Sequence, residues 1–481
     1  MKSLHIIVFL QVISFTGLSQ ANDTVYSQTL QLFFDSYNKR DYAVMRETFG
    51  GPLKLIFSEK LLTQLYGTQY EQMGRMTFSD LGWKGSHVKG GMIFERDTTE
   101  QIPFGFSFSK KGKIIGLSSS SAKFKYKKQA ARTPQSRDIE RIDSLVRFKQ
   151  EAAAFSGCVT VFENEAILYE HCYGRCSYPD GPALTPDVPF EIASCSKAFT
   201  AVAVCLLEQQ GKLKYNDLVS SYIPELKIYK GVTIEQLLWH TGGIPDYMEL
   251  FDKHWDKKRI AKNEDVVALL AKHHPKRYFK PGEKHEYSNT GYVLLATIAE
   301  RITKMPFENF IKKEVFEKAG MTSAFLYNHR RTENVWRDSY AYGYIRDFRT
   351  GLHALPDSLP DYQYVTFLDG ITGDGMVNIN TRDMLIWDDI LRTPGLLTQA
   401  TIDKIFTSGK TNKGEIIDYG FGWGLNSKEG FERIAEHSGS WPGYTSYVLR
   451  FLDRGRTIVI FSNNEYMFIE NMAHGIANIL E

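Results

Sequence analysis

Ser194 and Lys197 stand three residues apart at the head of the stretch EIASCSKAFTAVAVCLLEQQGKL. On a helix, positions i and i+3 share a face, so the two side chains meet the same space. A serine hydroxyl is a weak nucleophile and needs a base within hydrogen-bond reach. A lysine serves as that base only when its pKa falls from about 10.4 toward about 7. Burial among apolar neighbours and the positive end of a helix both push that way, and the largely apolar run after Lys197 supplies the burial. The chemistry in view is attack of a serine oxygen on a carbonyl carbon. Spacing alone does not establish it, because Ser36–Lys39, Ser107–Lys110 and Ser120–Lys123 repeat the pattern without partners.

Two further elements supply partners. PGEKHEYSNTGYVLLATIAERI carries Tyr287 and Asn289 ahead of a helix expected from about Gly291. A tyrosine beside an ammonium can shuttle a proton, and an asparagine can orient both a substrate amide and the lysine. The same residues also fit a helix-capping loop beside a packed tyrosine. EHSGSWPGYTSYVLRF places His437, Ser438 and Gly439 before a strand with clear alternation. A polar triplet with a glycine on an edge strand suits close approach by an extended ligand, and it equally fits a surface turn.

A large framework must hold these elements. The chain has 481 residues, 43% hydrophobic and 24% charged, a globular composition with room for two or three domains. Its net charge of +2 sets up no field that would gather nucleic acid, so no nucleic-acid partner is expected. The opening MKSLHIIVFLQVISFTGLSQAND has a basic start, an apolar run and a small polar exit. It predicts a signal peptide over 1–21 and a periplasmic or secreted protein with no stable membrane span after cleavage.

Residues 22–128 read as a small α+β accessory domain, with helical spacing first and strand-like runs such as IPFGFSFSKKGKIIGLSS after it. The linker 129–137 is polar and broken by Pro134. The segment 138–481 begins with a helix and a hairpin turning at Asn164-Glu165. It ends with two strands turning at Asp453 to Gly455 and a last helix, ENMAHGIANIL. Strands at both ends and helices between them predict an α/β (α+β) two-lobed fold. One antiparallel sheet is built from both ends and flanked by the terminal helices, a helical lobe is inserted, and a ligand cleft lies between the lobes.

Five cysteines leave at least one thiol free or paired between chains. Cys195 and Cys205 are expected as packed apolar residues. Cys172 and Cys176 are candidates for a bridge in an oxidising compartment, a pairing the sequence leaves open. The histidines, the pair His273-His274 included, fall at no metal-ligand spacing with carboxylates or cysteines, so no metal and no cofactor are expected.

In this order the three elements resemble the serine β-lactamase and penicillin-binding-protein superfamily, whose first motif is Ser-x-x-Lys. The similarity is strongest to the branch holding class C β-lactamases, D-Ala-D-Ala carboxypeptidases, D-aminopeptidases and related esterases. LLWHTGGIPDY, VFEKAGMTS, GDGMVNINTRDM and YGFGWGL agree with it over 138–481. The resemblance implies Ser194 as the acylated nucleophile and Lys197 as its base. It implies that Tyr287 protonates the leaving group and activates the deacylating water, and that Asn289 orients the substrate. His437, Ser438, Gly439 and Ser440 would form the substrate-binding strand. The backbone N–H groups of Ser194 and Ser440 would form the oxyanion hole, each donor worth a few kcal/mol. His240, in HTGG, is expected to be structural. Residues 22–128 are similar to ketosteroid-isomerase-like cone domains.

One departure stands out: class C β-lactamases carry Lys-Thr-Gly where this chain has His-Ser-Gly. A lysine is a permanent cation, whereas histidine is mostly neutral above about pH 6.5. That argues against efficient β-lactam hydrolysis and leaves slow acylation by β-lactams open. The expected activity is a secreted serine hydrolase that cleaves amide or ester bonds through an acyl-enzyme. Its expected partner is a small-molecule or peptide substrate of the D-amino-acid, peptidoglycan-like class. The alternative is an acylatable β-lactam or peptide sensor without efficient turnover. A third reading gives the front domain the task of holding a wall polymer or partner.

Overall fold

Strand alternation and two apolar helical faces account for the layers seen in the computed structural model. It describes residues 23–95, 97–119, 126–128, 133–153, 155–326, 337, 339–347, 350–426, 430–466 and 468–481. The expected signal peptide and linker residues 129–132 lie outside the described residues.

The front of the chain folds as α1 (Asp23–Asn38), α2 (Tyr42–Thr48), α3 (Gly51–Ile56) and α4 (Glu59–Met73). An antiparallel meander follows, of β1 (Met76–Lys84), β2 (His87–Phe94), β3 (Asp97–Phe108) and β4 (Ile114–Ser119). Caps fix two of these helices: Asp41 accepts the Val44 N–H and Ser58 accepts the Leu61 N–H. Aromatic rings fill the space between helices and sheet, with Phe33 edge-on to Phe106 at 5.2 Å and Phe34 to Phe104 at 5.7 Å.

After α5 (Ser136–Ala153) come β5 (Gly157–Glu163) and β6 (Ala166–Tyr173). Their turn sits at Asn164 and Glu165, both with positive φ (47° and 71°), the backbone a tight hairpin demands. Short strands follow: β7 (Phe190–Glu191), β8 (Phe325–Leu326), β9 (Ile345–Arg346), β10 (His353–Ala354) and β11 (Val377–Ile379). The chain closes with β12 (Gly424–Asn426), β13 (Ile434–Trp441), β14 (Tyr444–Phe451), β15 (Arg456–Ser462) and a final helix, Ile469–Leu480. The main sheet is antiparallel in the order β12-β13-β14-β15-β5-β6, built from both ends of the segment as the strand pattern predicts.

Successive residues of this sheet serve different cores. In β15, Val459 and Phe461 join the core shared with the helical lobe. Ile458 and Ile460 join the one beneath α5 and the final helix. A sheet covered on both faces needs strands apolar throughout, and all of Arg456–Ser462 is buried. Each of its apolar side chains, Ile458 to Phe461, contributes about 1.5–3 kcal/mol. The second core continues into the front helices, where Phe94 lies 5.8 Å from Phe468. The connection also touches the residues just ahead of β13: the Lys128 N–H donates to the Gly430 carbonyl, and the Glu432 N–H to that of Tyr126.

Cysteine pairing differs from the pair the sequence suggests. Cys158 and Cys172 form the disulfide, because the hairpin register sets them opposite each other. Cys176 lies beyond the end of β6 as a buried free thiol, as do Cys195 and Cys205. Tyr340 and Tyr342 are buried in a small aromatic cluster. Among the described residues, no helix is long and apolar enough to cross a membrane.

Candidate active site

Ser194 sits in a 3-10 turn, Ala193–Ser196, and α6 (Lys197–Gln209) starts only after it. The sequence puts a helix start at Ser194, but a tighter turn precedes it. Ala193 has a positive φ of 45°, a strained backbone for a residue with a Cβ. His240 (56°) and Met376 (75°), both beside the same site, share that conformation. Every residue of α6 from Lys197 to Leu207 is buried, so the helix runs through the core rather than along its surface.

Lys197 is wholly buried, at 0% exposure. Its Nζ lies 3.1 Å from Ser194 Oγ, 2.9 Å from Asn289 Oδ1 and 2.8 Å from the Asp374 carbonyl oxygen. It also lies 4.9 Å from the centre of the Tyr287 ring. Ser194, Lys197, Tyr287 and Asn289 therefore meet in one place. Gly422 (φ 78°) lets its loop close onto the start of α6. A Cβ there would fall 2.7 Å from Ala198 Cα and 2.9 Å from the Lys197 carbonyl oxygen.

Ser288 caps the helix Asn289–Thr303 by accepting the Gly291 N–H. Asn289 is thus the first helical residue, and its side-chain oxygen accepts from the lysine. Tyr287 stands 44% exposed at the mouth of the site. His240 supports it from below, 2% exposed, with its ring 4.3 Å from the Tyr287 ring. His240 Nδ1 accepts the Ser288 N–H at 3.0 Å, which puts the proton of the neutral ring on Nε2. Nε2 has no hydrogen-bond partner among the described residues. Burial holds the His240 pKa well below its ordinary value, and His285 and Lys197 add to the effect.

β13 brings the third element alongside. β12 pairs with Ile434–Glu436, and the Ser194 turn packs where His437–Ser440 pass. Gly439 faces that turn rather than open ligand space. A Cβ on it would fall 2.3 Å from the Ile192 carbonyl oxygen and from Ser446 Oγ, and 3.1 Å from the Ser194 nitrogen. Ser438 and Ser440 are exposed. His437 is 7% exposed. Its Nδ1 lies 2.7 Å from the Ser438 carbonyl oxygen and its Nε2 2.9 Å from Tyr419 Oη. Burial, and then the Lys197 charge, push its pKa down to about 3.

The sequence reading does not reach three contributors. Asp374 offers Lys197 a backbone carbonyl, and its carboxylate accepts the Tyr247 hydroxyl proton at 3.0 Å. Burial pushes the Asp374 carboxyl up while Lys197 pulls it down. Nearby Asp246 is pushed up to about 6, by burial first and by Asp374 among the rest. Tyr419 engages His437. The segments GIPDY, GDGM and YGFGWG carry these residues; no side-chain pattern within them announces the contacts. Among the described residues no group of three or more His, Cys, Asp or Glu is placed to hold a metal. The arrangement offers a buried amine on a serine hydroxyl, with a phenol at the opening and backbone N–H groups beside it. That is equipment for acyl transfer through serine.

The beta-lactamase family model matches residues 142–480. Penicillin-binding protein 4* of Bacillus subtilis (strain 168) is 41% identical over 327 residues, 68% of this chain and 72% of that protein. Protein flp of Staphylococcus aureus (strain MRSA252) is 27% identical over 355 residues, 70% of this chain and 66% of its own length. An octameric penicillin-binding protein homologue from Pyrococcus abyssi superposes with a TM-score of 0.61 at 26% identity, covering 71% of this chain and 77% of that one. The D-amino acid amidase of Ochrobactrum anthropi SV3 shares the fold, with a TM-score of 0.56 at 20% identity over 72% of this chain and 96% of that one. Matched over most of its length and carrying a serine–lysine pair at the head of a buried helix, this chain belongs to the beta-lactamase family of serine hydrolases.

Proposed function

We propose that the protein cleaves amide or ester bonds through an acyl-enzyme on Ser194, acting as a D-amino-acid peptidase, carboxypeptidase-like enzyme or esterase. The observation that carries this reading is the surroundings of Lys197 Nζ. To accept a proton Lys197 acts in its neutral form, which has two N–H bonds and one lone pair. The carbonyl oxygens of Asn289 and Asp374 suit the two N–H bonds, and the remaining direction faces Ser194 Oγ. The Ser194 proton passes to Lys197 as Oγ bonds to the carbonyl carbon. The oxyanion that forms rests on the N–H groups of Ser194 and Ser440, each worth a few kcal/mol. Tyr287 hands a proton to the departing nitrogen or oxygen as that bond breaks. It later takes one from the water that releases the acyl group, and Lys197 returns its proton to Ser194 Oγ as that bond breaks. Asn289 orients both the lysine and the substrate.

The relatives' own names, penicillin-binding proteins among them, support substrates of the peptidoglycan-like class. Export through a leader over 1–21 agrees with the Cys158–Cys172 disulfide, a bond that persists in oxidising compartments. Residues 22–128 act as the accessory unit of the exported enzyme. The test is a panel of p-nitrophenyl esters, D-aminoacyl amides and D-Ala-D-Ala peptides, with a fluorophosphonate probe alongside. Ser194→Ala should lose both turnover and labelling; equal labelling of that variant overturns the assignment.

A further inference from the structure

The front of the chain carries a charge and an apolar face that acyl transfer does not use. Residues 23–128 hold sixteen Lys and Arg against ten Asp and Glu, a net +6, while the rest of the chain sums to −4. Among the described residues, six of the fifteen exposed large hydrophobic side chains also belong to this segment, which makes up under a quarter of the chain. Single exposed apolar residues are ordinary, but several set among cations on one face need a reason.

Contacts gather the two features on one side. The turn Ser109–Lys113 joins β3 to β4 and carries Lys110, Lys111 and Lys113. A Cβ on Gly112 would fall 2.4 Å from Val25 Cγ1, so this turn sits on the first turn of α1. Leu32 lies seven residues after Val25, two turns along the same helical face. A Cβ on Gly50 would fall 2.6 Å from Lys113 Cβ and 3.6 Å from Ile115 Cγ2, so β4 runs beside the entry to α3. The end of α3 then presents Lys54 and Leu55, which border a hollow with Arg46. Leu55 is 88% exposed, and Val25, Leu32 and Ile115 are each exposed by 40% or more. Glu47 sits among these cations: its carboxylate pairs with Lys54 at 2.5 Å, and its carbonyl oxygen accepts from Lys113 at 2.6 Å. Set against Arg46 and the four lysines, Glu47 leaves the group positive.

The preceding chain joins the molecule at the same place. It enters α1 at Asp23, two residues before Val25, so the apolar run HIIVFLQVI leads to the edge of this face. A leader that engages a bilayer delivers the face to it. We infer that this face docks the protein on an anionic lipid surface. Leu55, Ile115 and Val25 enter the boundary between headgroups and acyl chains, and the lysines meet lipid phosphates. A soluble polyanion would satisfy the lysines but leave Leu55 in water, so the apolar side chains select lipid. Docked this way, the front unit keeps the Ser194 site at a membrane surface.

The test is sedimentation of the full-length protein with vesicles of phosphatidylcholine alone, or of equal parts phosphatidylcholine and phosphatidylglycerol. The anionic vesicles should bind it about tenfold or more tightly than the neutral ones. That preference should shrink as salt rises from about 0.1 M toward about 1 M. Leu55→Ser should weaken binding to the anionic vesicles about tenfold. Lys110→Ala together with Lys111→Ala should weaken it about tenfold or more. Both variants should turn over a p-nitrophenyl ester in solution as wild type does, which shows that they are folded. Equal binding to the two vesicle types overturns the inference, as does wild-type binding by the double lysine variant. Wild-type binding by Leu55→Ser overturns it too, because the contact would then be the purely electrostatic one that a soluble polyanion makes.

Discussion

The imidazole of His240 accepts the backbone N–H of Ser288 at 3.0 Å and lies 4.3 Å from the Tyr287 ring, joining the turn after Leu238 to the tyrosine at the mouth of the site. Because His240 is buried in a left-handed backbone, the contact holds Tyr287 from both its ring face and its neighbouring amide. His240→Ala leaves a cavity and an unsatisfied amide. It should cost about 2–4 kcal/mol in urea unfolding and lower ester turnover by tenfold or more. Wild-type stability and turnover in this variant would show that Tyr287 is held by something else.

Gly439 should tolerate no side chain. An added methyl carbon would fall 2.3 Å from the Ile192 carbonyl oxygen, so either β13 or the Ser194 turn has to move. A shift of about 1 Å at reacting groups costs on the order of a hundredfold in rate. Gly439→Ala is expected to lose at least that much kcat/KM while keeping its circular dichroism spectrum. Gly414, whose added Cβ meets nothing within 4 Å, is the comparison: Gly414→Ala should leave the rate unchanged and cost about 1 kcal/mol of stability for its positive φ.

The disulfide gives a covalent test of the strand register. Peptide mapping without reduction should recover Cys158 linked to Cys172, with Cys176, Cys195 and Cys205 alkylated only after unfolding. Closing a loop of this length stabilises by about 3 kcal/mol, so Cys158→Ser should lower the Tm. A Cys172–Cys176 peptide would contradict the β5–β6 pairing.

Glu465 makes stability depend on pH. Its carboxyl, which accepts the Gly443 N–H at 3.1 Å, is pushed up to about 7 by burial. In the unfolded chain it titrates near its ordinary value of about 4.3. Between those values the folded state holds a proton that the unfolded state has lost, so its contribution to stability falls as pH rises toward about 7. Glu465→Gln keeps an acceptor for Gly443 and does not titrate. Relative to wild type it should gain about 2–3 kcal/mol between about pH 5 and about pH 8. A pH-independent difference would contradict the buried carboxyl.

The sequence exposes those parts of the site that local side-chain pattern encodes. Ser194 and Lys197 share a turn ahead of an apolar helix, and Tyr287 and Asn289 flank a helix start, so residue type and spacing mark them as candidates and the order of the three motifs singles them out. The sheet is legible too, because β5 and β15 read as continuous apolar runs. Asp374 is hidden since it meets Lys197 through a backbone oxygen, which every residue carries. Tyr419 is hidden since its hold on His437 depends on a loop folding back beside β12. Pairing of Cys158 with Cys172 needs the hairpin register, whose shift between Val161 and Phe162 no composition reveals. Gly439 is legible as a site of close approach, yet what approaches it is the protein's own Ser194 turn.

Lys197, as the proposed base, should set the rate at which Ser194 is acylated. Rapid-quench mass spectrometry with a p-nitrophenyl D-alanyl ester would follow the acyl adduct on the Ser194 peptide in wild type and in Lys197→Ala. Wild type is expected to form an adduct on Ser194, and Lys197→Ala to form it about a thousandfold or more slowly, in line with loss of a positioned base. Equal acylation rates in the two proteins, or an adduct on another residue, would contradict it.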